Sequence, residues 1–149
     1  MFLQPDWIAL LRELNAADAR YLVVGAGALA FHGLPRATRD FDIWVDPDTN
    51  NAVRVYQALA RFGAPLDSLS VSDLQSDDLI FQIGVEPLRI DVITDISGIR
   101  FEEAWPNRVF AEVETVRIPI LSREDLIRNK RATGREKDAL DVKALLEER

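Results

Sequence analysis

Two aspartates one residue apart, in Arg39-Asp40-Phe41-Asp42-Ile43-Trp44-Val45, are the first residues of this chain whose spacing could do chemistry. Alternate side chains of a strand share a face, so Asp40 and Asp42 point one way while Phe41, Ile43 and Val45 point the other. The apolar set buries its face and leaves two carboxylates side by side. Unless a cation sits between them, their repulsion raises one pKa. A hard divalent ion such as Mg²⁺ suits the pair, because it takes carboxylate oxygens and completes its shell with water and substrate phosphates. Asp91, in Arg89-Ile90-Asp91-Val92-Ile93, is a third candidate on a strand that could neighbour the first. Two ions sharing three carboxylates, about 4 Å apart, could clamp both ends of an in-line phosphoryl displacement. The plainer reading makes Asp40 and Asp42 solvated strand residues balanced by Arg36 and Arg39.

The surrounding elements must hold these residues in place. Val23-Val24-Gly25-Ala26-Gly27-Ala28 reads as a strand running through glycine into a helix, a geometry in which backbone N–H groups can hold phosphate. Small residues there could equally serve close packing, and no third glycine completes a dinucleotide fingerprint. Trp7, Ile8, Leu10, Leu11 and Leu14 predict an opening helix to about Ala16. Tyr21 to Val24 predicts a buried strand, Ala26 to His32 a short helix, and Asp40 to Val45 a strand. Asp48 or Thr49 can cap a helix ending at Gly63. Leu79 to Ile83 and Leu88 to Ile93 predict an antiparallel hairpin around Gly84-Val85-Glu86-Pro87. Val109 to Ile120 holds a further strand or two with an undefined turn. Ser122 and Asp125 suggest a capping box opening a helix to about Ala132, and Gly134 separates it from a last helix, Arg135 to Glu148. The order implies an α/β (α+β) fold, a mixed sheet with helices packed on one side and C-terminal helices following.

At 149 residues the chain suits one domain, 1–149, since chains of this size bury roughly 70% of their unfolded surface. Net charge is −7, which argues against a broad basic surface for nucleic acid. The charge is uneven. Residues 1–115 carry nine basic and eighteen acidic side chains, and 116–149 carry nine and seven, including every lysine. This marks 116–149 as a C-terminal strand and helix pair set against an α/β body. With no cysteine, thiolate zinc sites and thiol nucleophiles are excluded, and the single His32 excludes multi-histidine metal sites. His32 reads best as a helix C-terminal cap. No run approaches the roughly 20 apolar residues of a membrane span, and the N-terminus lacks a signal-peptide pattern, so a cytoplasmic location without membrane partners is expected.

Taken together, Gly25-x-x-Ala28-x-x-x-His32-Gly33-x-x-Arg36-x-Thr38-x-Asp40-x-Asp42 and the later Asp91 resemble the nucleotidyltransferase superfamily that includes polymerase β and the minimal nucleotidyltransferases. The pattern is similar to a small bacterial branch related to the AbiE-type toxin nucleotidyltransferases, in which a C-terminal Lys-Asp-x-x-Asp element also occurs; Lys130 and Lys137-Asp138-Ala139-Leu140-Asp141 match it. The resemblance implies an enzyme of the nucleotidyltransferase fold that moves a nucleoside monophosphate from an NTP to a hydroxyl of an RNA such as tRNA, a protein or a small molecule. It makes Asp40, Asp42 and Asp91 the catalytic ligands of a two-ion Mg²⁺ site. Gly25, Ala26, Gly27, Arg36, Thr38, Arg39 and Lys130 would contact the nucleotide. A cognate toxin or antitoxin would be the protein partner. Ala26 departs from the glycine or serine usual at that position and removes any hydroxyl contact to phosphate. Two rivals stand beside this reading: a non-catalytic binding module acting through a protein partner, and a nucleotide sensor.

Overall fold

The computed structural model describes residues 3–35 and 40–147. Its centre is a six-stranded mixed sheet. In chain order the strands are β1 (Tyr21–Val24), β2 (Asp40–Val45), β3 (Ile80–Ile83), β4 (Arg89–Ile93), β5 (Val109–Val113) and β6 (Val116–Ile120). They lie side by side as β3-β4-β2-β1-β6-β5. β2 runs parallel to β4 and antiparallel to β1, while β1 runs parallel to β6.

Two long helices cover the apolar face. The first, α1 (Pro5–Ala16), starts with proline at its first turn, where a missing N–H is harmless, and buries Trp7, Ile8, Leu10, Leu11 and Leu14. Trp7 stacks on Phe41 of β2 at 4.9 Å and donates its indole N–H to the Leu88 carbonyl. Phe41, Ile43 and Val45 are all buried, as the alternation requires. The other helix, α3 (Thr49–Phe62), is capped by Asp48 and ends at Gly63. Its buried Asn51 bonds the Arg20 N–H, the Arg20 carbonyl and the Asp46 carbonyl, tying the start of β1 to the end of β2.

Between them in sequence, α2 (Gly25–Phe31) leaves the end of β1 directly. A Cβ on Gly27 would come within 2.8 Å of Val23 and 3.1 Å of Phe41, so this glycine serves the close seating of α2 on the sheet. α4 (Phe101–Ala104) places Phe101 edge-on against Trp44. The β5–β6 hairpin turns on Glu114-Thr115, both with positive φ (48° and 68°), as the tightest hairpin turns require at both central positions. That turn stayed undefined in the sequence because neither residue is the glycine or asparagine that announces it. α5 (Arg123–Thr133) starts at Ser122, whose hydroxyl accepts from the Asp125 N–H, and α6 (Glu136–Glu147) follows after Gly134.

The change of composition at residues 115 and 116 falls inside the β5–β6 turn. Both parts therefore share one sheet. Among the described residues no helix is long and apolar enough to cross a membrane.

Candidate functional site

Parallel pairing of β2 with β4 sets Asp42 opposite Asp91 and Asp40 opposite Arg89. Residues paired this way share a face, so residues 49 apart in sequence meet on the face left open by α1 and α3. Oxygens of Asp40, Asp42 and Asp91 all lie within 4.8 Å of one another. The sequence expectation that these three converge is met in the geometry.

The sequence reading missed what holds them together. The Arg89 guanidinium donates from Nε to Asp91 Oδ1 at 2.8 Å and from Nη2 to Asp91 Oδ2 at 3.1 Å. Nη2 also reaches Asp40 Oδ2 at 2.8 Å, and Nη1 meets Glu86. Arg89 thus bridges two of the three carboxylates and sits on the same strand face as Asp91. The Arg-x-Asp spacing carried that signal, since period two places both on one side.

One arginine does not neutralise three carboxylates. Burial, and then the charges of Asp40 and Asp91, push Asp42 up to about 7, with Arg89 and Lys130 pulling the other way. Burial also raises Asp91, and its bonds to Arg89 oppose the rise.

Gly25 makes room for this group. Its φ is +60°, and a Cβ there would stand 2.5 Å from Asp42 Oδ2. Any other residue would meet both a strained backbone and the carboxylate itself. Just before Gly25 in the chain, Val24 is the register partner of Asp42.

Val24, Gly25, Asp40 and Asp42 form one wall of a cleft of about 540 Å³, lined also by Ala26, Ser97, Asn129 and Lys130. The C-terminal helices make the other wall. Lys130, nearly buried, lies 3.1 Å from both Asp138 and Asp141. Asp138 also accepts from Thr133 at 2.6 Å and from Arg135 at 2.7 Å. Burial alone would raise Asp138, yet the bonds from Thr133 and Lys130 prevail and hold it down at about 2. Asp138 and Asp141 thus share Lys130, one helix away. Lys137 lines the same cleft.

Other sequence candidates divide. Gly25 and Ala26 line the cleft, and Gly27 is buried beneath it. Arg36, Thr38 and Arg39 lie outside the described residues. A ring nitrogen of His32 lies 2.8 Å from the Leu121 carbonyl, tying the end of α2 to the chain after β6, and His32 stands at the C-cap as expected. Trp44, two residues beyond Asp42 on the same strand face, is buried against Phe101 and lines a different cleft.

The donor set fits a divalent cation. It offers only hard carboxylate oxygens and carries excess negative charge after Arg89 is counted.

Comparison with known proteins places this geometry in context. A family model described as a nucleotidyltransferase of unknown function (DUF6036) matches residues 6–146. The chain is similar to a candidate nucleotidyltransferase from Thermotoga maritima, with 18% identity, a TM-score of 0.60, and 99% of this chain and 97% of that one covered. It is similar also to an antigenic nucleotidyltransferase-like protein from Paracoccidioides brasiliensis, with 16% identity, a TM-score of 0.53, and 95% and 73% covered. At these identities the likeness is one of fold. No curated protein matches the sequence.

Proposed function

This chain belongs to the family of nucleotidyltransferases of unknown function, and from that premise we propose that it transfers a nucleoside monophosphate from an NTP to a hydroxyl acceptor, with Mg²⁺. One observation carries the proposal: Asp40, Asp42 and Asp91 bring oxygens within 4.8 Å of one another, beside the glycine that leaves room for Asp42 and at a cleft lined by Asp40, Asp42 and Gly25. Asp40, Asp42 and Asp91 would hold the metal, which supplies positive charge to the triphosphate and lowers the barrier to attack at the α-phosphorus.

The protein's own groups do the rest. Gly25 and Ala26 present backbone to the phosphates along the cleft wall. The acceptor oxygen bonds to the α-phosphorus as the bond to the β-phosphate oxygen breaks, and pyrophosphate leaves. The hydroxyl proton passes to Asp91, whose carboxylate Arg89 fixes at both oxygens. Lys130, anchored by Asp138 and Asp141, adds positive charge to the wall facing Asp42. The pairing of Asp40 and Asp91 by Arg89 favours a second reading, nucleotide binding without transfer, because it stabilises the carboxylates with no metal bound.

Melting with Mg²⁺ and each NTP tests the first step. A ligand at about 100 times its Kd stabilises by about 2.7 kcal/mol, a rise of roughly 5–10 °C for a domain of this size. The wild type is expected to rise and Asp42→Ala not to; no shift with any nucleotide would sink both readings. Incubation with α-labelled NTPs and cell extract separates them. The resemblance to the toxin branch makes tRNA and proteins the acceptors to try first, and a cognate toxin or antitoxin the partner. Labelled product supports transfer, and binding without product supports the sensor.

A further inference from the structure

The chain's charge is −7, yet three arginines converge at the end of the sheet away from the carboxylates. Arg20 immediately precedes β1, Arg108 immediately precedes β5, and Arg117 lies on β6. Two rings lie among their guanidiniums. Arg20 lies 5.4 Å from the Trp105 centroid, and Arg108 lies 3.9 Å from the same ring and 5.4 Å from Phe110. Arg117 completes the series, 3.8 Å from Phe110.

Carboxylates are at hand and are not used. Glu112 is the direct register partner of Arg117, and Asp18 lines the same cleft, but among the described residues none of the three arginines forms an ion pair. A guanidinium over a ring spends its face on that ring and keeps its in-plane N–H donors for other partners. Among the described residues only one of those donors is engaged, Arg108 Nη1 to the Trp105 carbonyl at 2.8 Å. Arg108 Nε is buried without a hydrogen-bond partner. Burial, and then the charges of Arg117 and Arg20, lower the Arg108 pKa, so the crowding has a cost that a bound anion would relieve.

The surface has the shape and chemistry of one ligand class. A cleft of about 280 Å³ opens among Tyr21, Trp105, Arg108, Phe110, Arg117 and Pro119, and Phe110 remains 39% exposed. Phosphates match coplanar guanidinium donors, and an unstacked base matches an exposed ring. An acidic peptide would use the same donors but would leave the exposed Phe110 ring without a stacking partner. We propose that this face binds single-stranded nucleic acid, RNA or DNA, with phosphates on Arg20, Arg108 and Arg117 and a base against Phe110. The site stands apart from the cleft at the other end of β1 and needs neither metal nor nucleotide.

Fluorescence anisotropy of a labelled twelve-residue oligouridine and its deoxythymidine counterpart, in EDTA without NTP, tests this. Binding is expected below about 100 µM protein at low salt, with log K falling against log salt at a slope of about −2 for three phosphates. Phe110→Ala should weaken it at least about fivefold, a lower bound for one lost base stack. Arg117→Glu and Arg20→Glu, both at exposed positions, should weaken it further with unchanged melting temperature, and either serves if the other misfolds. Stronger binding of the ribo-strand identifies RNA as the ligand, and equal binding identifies the phosphodiester strand alone. No binding, full binding by both arginine variants, equal displacement by oligoglutamate, or loss of binding in Asp42→Asn would each overturn the proposal. Because the assay omits metal and NTP, its failure leaves nucleotidyl transfer untouched, and failure of transfer leaves this site untouched.

Discussion

Asp42 concentrates the electrostatics of the cleft in one side chain. In the fold it keeps its proton up to about pH 7, whereas an unfolded aspartate releases its own near 4. Between those values the native state binds more protons than the unfolded one, so stability falls as pH rises from about 4 to about 7. Asp138 acts in the opposite sense. Held at about 2, it contributes stability that is complete above about pH 4 and is lost as pH falls towards 2. Melting in EDTA should therefore show a decline between pH 4 and 7 that Asp42→Asn flattens; a wild-type curve that rises through that window would contradict the assignment. The three aspartates and Gly25 were legible in the sequence because period two and a strand-to-helix glycine are local patterns. The bridging role of Arg89 towards Asp40 was not, because it depends on which strand lies beside β2. Nor was the pairing of Lys130 with Asp138 and Asp141, which depends on how two helices fold back on each other.

Among the elements, the α5–α6 pair depends on that buried ion cluster. Removing one partner of a buried pair leaves an uncompensated charge and costs about 3–5 kcal/mol. Lys130→Met should lower stability by about that amount, because it removes the cation that the buried Asp138 and Asp141 both face at 3.1 Å. Urea titration measures it, and a change below about 1 kcal/mol would refute a structural role for the cluster. Adding Asp141→Asn to Lys130→Met should recover part of the loss. The helices themselves were legible from their caps and apolar spacing: Ser122 and Asp125 open α5, and Asp48 opens α3. The Glu114-Thr115 turn was not, because tertiary pairing of β5 with β6 imposes left-handed backbone on residues that do not favour it.

At the scale of the whole molecule, sequence composition divides where the fold does not. β5, from the acidic part, pairs only with β6, from the part that holds every lysine, and β6 in turn pairs with β1 at the centre of the sheet. A fragment of residues 1–115 is therefore expected to show no cooperative urea transition by circular dichroism, and a sharp transition would show that the body stands without β6. The same strand order bears on how the protein is made. While the ribosome has delivered only the first hundred residues, Tyr21 to Val24, a fully buried run of Tyr-Leu-Val-Val, forms the rim of an unfinished sheet with its backbone groups unpaired on one side. Such a rim is a template for pairing with another chain. The nascent polypeptide thus passes through a window in which it is prone to aggregate, and that window closes when Val116 to Ile120 emerges and takes its place against β1.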